Sequence, residues 1–156
     1  MKLKFLTILT LVVIMSSCGG EKVKEEVAKE PEKKEVAKGK ELEKIDPMKD
    51  KGVGPIKSLT LGDIDDALVA KGKEIFRTKC TACHKITKRF VGPPLKGVTK
   101  RQTPEWIMNM ILNPEVMVVE NAKAKELLTE YSAPMANQNL TEEEARAVLE
   151  YFRTKN

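Results

Sequence analysis

The feature that most constrains this chain is Cys80-Thr81-Ala82-Cys83-His84. Two cysteines separated by two residues, with a histidine directly after, is the spacing that attaches a c-type haem. The two thiols can add across the haem vinyl groups, and the adjacent imidazole then faces the iron as proximal ligand. The rest of the sequence reads as a pocket around that group or as a tether for it. Two other chemistries use similar cysteines. A thioredoxin-like pair expects a βαβ setting, whereas Cys80 follows an amphipathic helical stretch and precedes a Gly/Pro-rich loop. A structural zinc site needs four ligands, usually Cys or His. This chain has one histidine and three cysteines, and Cys18 lies in the leader.

With 156 residues the chain is long enough for one small domain rather than several. Aromatic residues make up 4% of it, a thin supply for a self-sufficient core, and a buried porphyrin would contribute the missing apolar volume. The formal charge of +5 is modest. No arginine-rich helix or alternation of basic and aromatic residues points to nucleic acid, so none is expected as a partner.

Residues 1–17 read as a signal peptide. Met1-Lys2-Leu3-Lys4 is a basic lead, and Phe5 to Met15 is an apolar run of eleven residues, too short to span a bilayer and suited to a signal sequence. Ser16-Ser17-Cys18-Gly19 resembles a bacterial lipobox, with Met15 where Leu is usual, so Cys18 is the expected lipidation site and membrane anchor. The alternative is an ordinary signal with an incidental cysteine. Either way the protein is exported to the periplasmic or cell-envelope side, where c-type haem is attached. Residues 18–62 read as a flexible tether. From residue 21 to 50 nine lysines face ten acids, and so few apolar residues cannot offset the entropy of ordering. As a coil, residues 19–62 would span roughly 35–40 Å.

A domain over residues 63–156 is expected to be all-α, with about four helices and long connecting loops. Asp63 or Asp65 caps the first helix, on which Leu68, Val69, Gly72, Ile75 and Phe76 share a face. Thr103 and Pro104 open a second helix carrying Trp106, Ile107, Met110 and Ile111, stopped at Asn113-Pro114. A weaker helical stretch runs from Asn121 to Tyr131. Thr141-Glu142-Glu143-Glu144 is a capping box, ahead of a stripe formed by Ala145, Val148, Leu149 and Phe152.

Taken in order, these features resemble a class I cytochrome c of the small bacterial monohaem type. They are the helix with Gly72 and Phe76, the Cys80-to-His84 motif, Gly92-Pro93-Pro94-Leu95, Trp106, the loop Ala133-Pro134-Met135, and the last helix with Leu149-Glu150-Tyr151. The resemblance implies one covalently attached haem c. It implies that the Pro93 carbonyl orients His84, that Leu95 packs on the haem, and that the first and last helices cross at Gly72, Phe76 and Tyr151. Trp106 either donates its indole N–H to a haem propionate or is a core anchor. The sole histidine excludes bis-His ligation. Met108, Met110, Met117 and Met135 all follow the motif, and the family places its thioether ligand where Met135 stands. Met117, in a possible loop after Asn113-Pro114, is the second choice.

His84 and Met135 together would leave the iron no open position, which implies an electron carrier and not an enzyme. The basic residues Lys79, Lys85, Lys88, Arg89, Lys96, Lys100 and Arg101 occur with no acid among them. They suggest a docking patch for redox partners with acidic surfaces. The expected role is that of a tethered, monomeric single-electron carrier serving a terminal oxidase or a reductase such as nitrous-oxide reductase. The rival roles are a haem-based sensor or enzyme for small ligands, in which Met135 dissociates, and a fixed cytochrome subunit of a larger oxidoreductase.

Overall fold

Asp65, not Asp63, begins the first helix, α1 (Asp66–Ile75), its carboxylate accepting the backbone N–H groups of Ala67 and Leu68 at 2.8 and 3.0 Å. That satisfies donors which a helix start otherwise leaves bare. The helix then widens into a π-helical turn, Phe76–Cys80, a rare geometry that concentrates at functional sites. The turn delivers the chain directly into the Cys80-to-His84 motif. The computed structural model describes residues 46–156. The signal segment 1–17, Cys18 and the tether as far as residue 45 lie outside the described residues.

Four more helices follow: α2 (Pro104–Leu112), α3 (Pro114–Glu120), α4 (Ala122–Tyr131) and α5 (Glu142–Arg153). A 3-10 turn, Val98–Lys100, precedes α2. No strand occurs among the described residues, so the all-α expectation holds, with one helix more than anticipated. The extra one is α3. Asn113-Pro114 ends α2 as expected, but Pro114 also serves as the first residue of the next helix, where its missing N–H is no loss. Met117 therefore sits in a helix and not in a loop. It is fully buried, and its sulfur accepts the Val53 N–H at 3.0 Å.

The centre of the fold is the crossing of α1 and α5. Gly72 is buried there, and a Cβ in its place would run into the Ala147 carbonyl. The Phe76 ring packs 5.5 Å from Tyr151 and edge-on to Phe152 at 5.8 Å. The stripe expected on α5, Ala145, Val148, Leu149 and Phe152, is buried throughout. Thr141 and Glu144 form the full capping box, each side chain holding the other's backbone N–H. Glu150 is completely buried on the same helix and is satisfied by ion pairs to Arg146 and Arg153 at 2.8 and 2.7 Å.

The expected tether boundary at residue 62 needs correction. Residues 46–62 are not free chain but a strap laid along α2 and α3. Asn109, on α2, accepts the Ile56 N–H and donates to the carbonyls of Lys51 and Ile56, each at 2.9 Å. Glu105 accepts the Leu59 N–H at 3.1 Å. The Thr103 hydroxyl donates to the Asp50 carbonyl, and Ile56 joins the apolar core. At its far end Arg153 donates to the Gly62 carbonyl at 2.8 Å. Backbone polar groups with side-chain partners hold this segment, together with the scattered apolar contacts of Val53, Ile56, Leu59 and Leu61. That is why hydropathy alone placed it outside the domain.

Candidate functional site

A cavity of about 760 Å³ opens among the helices, and Cys80, Cys83, His84 and Met135 all line it. Its other walls are largely apolar, with Ile107, Ile111, Leu127, Val148 and Phe152 among them. The wall that carries the cysteines is built locally. The N–H groups of Cys83 and His84 both return to the Cys80 carbonyl, at 3.1 and 2.8 Å. Gly92 then donates to the Cys83 carbonyl at 2.9 Å, which folds the Gly92-to-Leu95 loop back over the motif. Leu95 and Lys96 extend the contact through N–H bonds to Lys85 and Ile86.

His84 is held by this loop. Its Nδ1 lies 3.1 Å from the Pro93 carbonyl oxygen. Because a carbonyl only accepts, Nδ1 carries the proton and Nε2 keeps a lone pair for a metal. Burial pushes the His84 pKa down, and the Pro93 carbonyl opposes this only in part. Both the tautomer and the neutral charge suit an iron ligand. Gly92 lies under the ring: a Cβ there would come to 2.5 Å from Cε1 and 2.9 Å from Nδ1.

Cys80 and Cys83 are free thiols. Burial, with a smaller contribution from the Cys83 charge, pushes the Cys80 thiol up to about 11. A thiol–disulfide catalyst needs the reverse, a thiolate favoured near neutrality. Met135 sits half-buried in the segment between α4 and α5. That segment leaves α4 through Ser132 in the left-handed region and is tied to α2 by Asn137, which donates to the Leu112 carbonyl at 3.2 Å.

Pro93 and Leu95 line the cavity as expected, and so does Trp106. The Trp106 N–H, however, donates to the Asn121 side-chain oxygen at 3.1 Å. Asn121 in turn caps α4 and donates to both carboxylate oxygens of the buried Asp50 at 3.0 and 2.8 Å. In the structure the polar end of Trp106 is thus taken by Asn121, which the strap residue Asp50 holds in place.

The seven basic residues divide. Lys79, Lys100 and Arg101 line the cavity; Lys85, Lys88, Arg89 and Lys96 do not. Arg89 pairs with Glu130 at 3.1 Å and stacks 4.1 Å from the Tyr131 ring centre. Lys85 donates to the Thr81 carbonyl, and Arg101 donates to the carbonyls of Pro94 and Lys96. Lys79, Lys88, Lys96 and Lys100 remain as exposed cations. Sequence reasoning missed Pro47, Met48, Gln102 and Lys123, all of which line the cavity. The first two belong to the strap, and Gln102 reads in sequence as a mere link between Arg101 and the cap Thr103.

Two thiols, an imidazole with a free Nε2, a thioether and apolar walls in one cavity are the donor set and surface that a covalent haem needs. The residues present fit that group. A cytochrome c family model matches residues 69–155. Among solved structures, a cytochrome c from Rhodothermus marinus is 48% identical, covering 65% of this chain and 88% of that one with a TM-score of 0.64. An engineered form of a cytochrome c from the same organism, Rma TDE, is 47% identical, with 65% and 89% covered and a TM-score of 0.63. No curated protein matches the chain.

Proposed function

The chain belongs to the cytochrome c family, and from that premise we propose that it is a tethered electron carrier of the cell envelope whose haem is ligated by His84 and Met135. That it is a c-type cytochrome with one covalent haem c, a carrier of electrons and not an enzyme, follows from the family. The haem supplies the one-electron couple. In the proposed reading Cys80 and Cys83 hold the group covalently and His84 presents Nε2 to the iron. Pro93 would fix the tautomer, Met135 would supply the second protein ligand to the iron, and Leu95 would pack against the group.

The observation that carries this reading is the meeting of Cys80, Cys83, His84 and Met135 in one apolar cavity, although Met135 is more than fifty residues from the motif. A thioether at the sixth position raises the reduction potential relative to a second imidazole and keeps small ligands out. The anchoring reading rests on the sequence of residues 1–18, with Cys18 lipidated and the domain facing the periplasmic side as a monomer. Lys79, Lys88, Lys96 and Lys100 are offered as the cations that meet an acidic redox partner, a terminal oxidase or a reductase.

The test is an optical spectrum of the holoprotein, oxidised and reduced, for wild type and Met135→Ala. The reading expects the weak long-wavelength band of iron–thioether ligation in wild type. In the variant it expects loss of that band, a lower potential and uptake of carbon monoxide by the reduced form. A wild type that lacks the band and takes up carbon monoxide readily would instead make this a ligand-binding haem protein.

A further inference from the structure

Among the described residues, two that are not glycine have left-handed backbone, Ser132 (φ 51°) and Asn139 (φ 53°). They bracket the segment that carries Met135, between the end of α4 and the cap of α5. Such backbone is unfavourable for a residue with a side chain and persists only where the surroundings hold it. Ser132 makes its bend directly after Tyr131. The direction in which the segment departs is therefore set by how firmly the last turn of α4 is held.

That turn is held by Arg89, from the loop between His84 and Gly92. Arg89 stands five positions after His84, and its partners stand five and four positions before Met135. One guanidinium makes three contacts there. It donates to the Glu130 carboxylate at 3.1 Å and to the Glu130 carbonyl at 3.0 Å, and it lies 4.1 Å from the Tyr131 ring centre. The carbonyl is among the last four of α4, which a helix leaves without an internal partner, and a cation suits that end of the helix dipole. The ring contact uses the planar face of the same group, which a lysine does not reproduce. An exposed ion pair by itself stabilises little. Three contacts on one rigid group, at the strained exit of the Met135 segment, make a clasp that joins the two walls across 41 residues of sequence.

We infer that Arg89 is a positioning residue for Met135. By fixing the last turn of α4 it keeps the segment where the thioether reaches the iron. Arg89 does not line the cavity itself and acts through Glu130 and Tyr131, which do. The inference rests on the reading of Met135 as an iron ligand.

The test is displacement of the thioether by imidazole in the ferric holoprotein, at a pH where imidazole is uncharged, read as loss of the iron–thioether band. Amide hydrogen exchange of residues 133–139 is followed in the same proteins without imidazole. Arg89→Ala should raise the displacement rate at saturating imidazole roughly three- to tenfold, the range for losing an exposed ion pair together with a cation–ring contact. Protection of the segment should fall while that of α1 and α5 stays. Arg89→Lys keeps the charge without the fork and should recover only part of the wild-type behaviour. Gly72→Ala, which loosens the α1–α5 crossing, controls for general destabilisation and should leave the displacement rate unchanged. Wild-type rates and protection in Arg89→Ala would overturn the clasp and leave Met135 ligation standing. So would an equal acceleration in Gly72→Ala, because Arg89 would then act only through overall stability. A wild type without the band would remove the Met135 reading and this inference with it.

Discussion

Gly72 shows how little side chain the central contact tolerates. The α1 backbone rests on the Ala147 carbonyl with no room for a methyl group, and interiors this dense yield only by shifting backbone. Gly72→Ala should therefore destabilise the domain by about 1–3 kcal/mol, the usual range for overpacking, and a lower denaturant midpoint at unchanged haem content would show it. That glycine was legible in the sequence because the motif order named its place. His84 and Pro93 were legible for the same reason, and the 3.1 Å contact between them agrees. Trp106 was not legible. Its N–H goes to Asn121, fifteen residues away, and no local pattern announces which polar group a buried indole will find. Gln102 as a wall of the cavity was invisible for a related reason: an isolated glutamine has no periodicity to mark it.

At the scale of elements, helices announced themselves through caps and stripes, whereas the strap and α3 did not. The box at Thr141 to Glu144 and the stripe on α5 are local and survive into the structure. Asn113-Pro114 could mean a stop, a start or both, and tertiary packing of Met117 decides for both. The strap is held by a few side chains reaching its backbone, so its stability is concentrated and open to test. Asn109 is fully buried and makes three hydrogen bonds to strap backbone. Asn109→Ala would strand the Ile56 N–H and two carbonyls, each worth about 1–3 kcal/mol when left buried and bare. The expected outcome is a loss of at least about 2 kcal/mol. Hydrogen-exchange protection of Ile56 should fall before that of α5. Equal loss of protection in strap and α5 would mean that the strap is no separate layer.

For the whole molecule, charge and its placement bear on how an electron reaches the cavity. Glu105 to Asn156 carries nine acids against five bases, while Lys79 to Arg101 carries seven bases and no acid. Three of those seven are spent inside the fold: Arg89 on Glu130, and Lys85 and Arg101 on backbone carbonyls. Steering by the remaining exposed lysines acts over about a Debye length, roughly 10 Å at 0.1 M salt and 3 Å at 1 M. A protein partner with an acidic face would feel it, and a small uncharged reductant would not. Reversing Lys79 and Lys88 to Glu should therefore slow bimolecular electron transfer with the acidic partner by about tenfold at low ionic strength, within the range that steering controls. The difference should close as salt is raised. The rate with the uncharged reductant should stay at the wild-type value, which separates docking from any change in the haem itself. Stopped-flow traces over a salt series measure all three quantities. A slowing that persists at high salt, or that appears equally with the uncharged reductant, would show that these lysines act on the couple and not on the encounter.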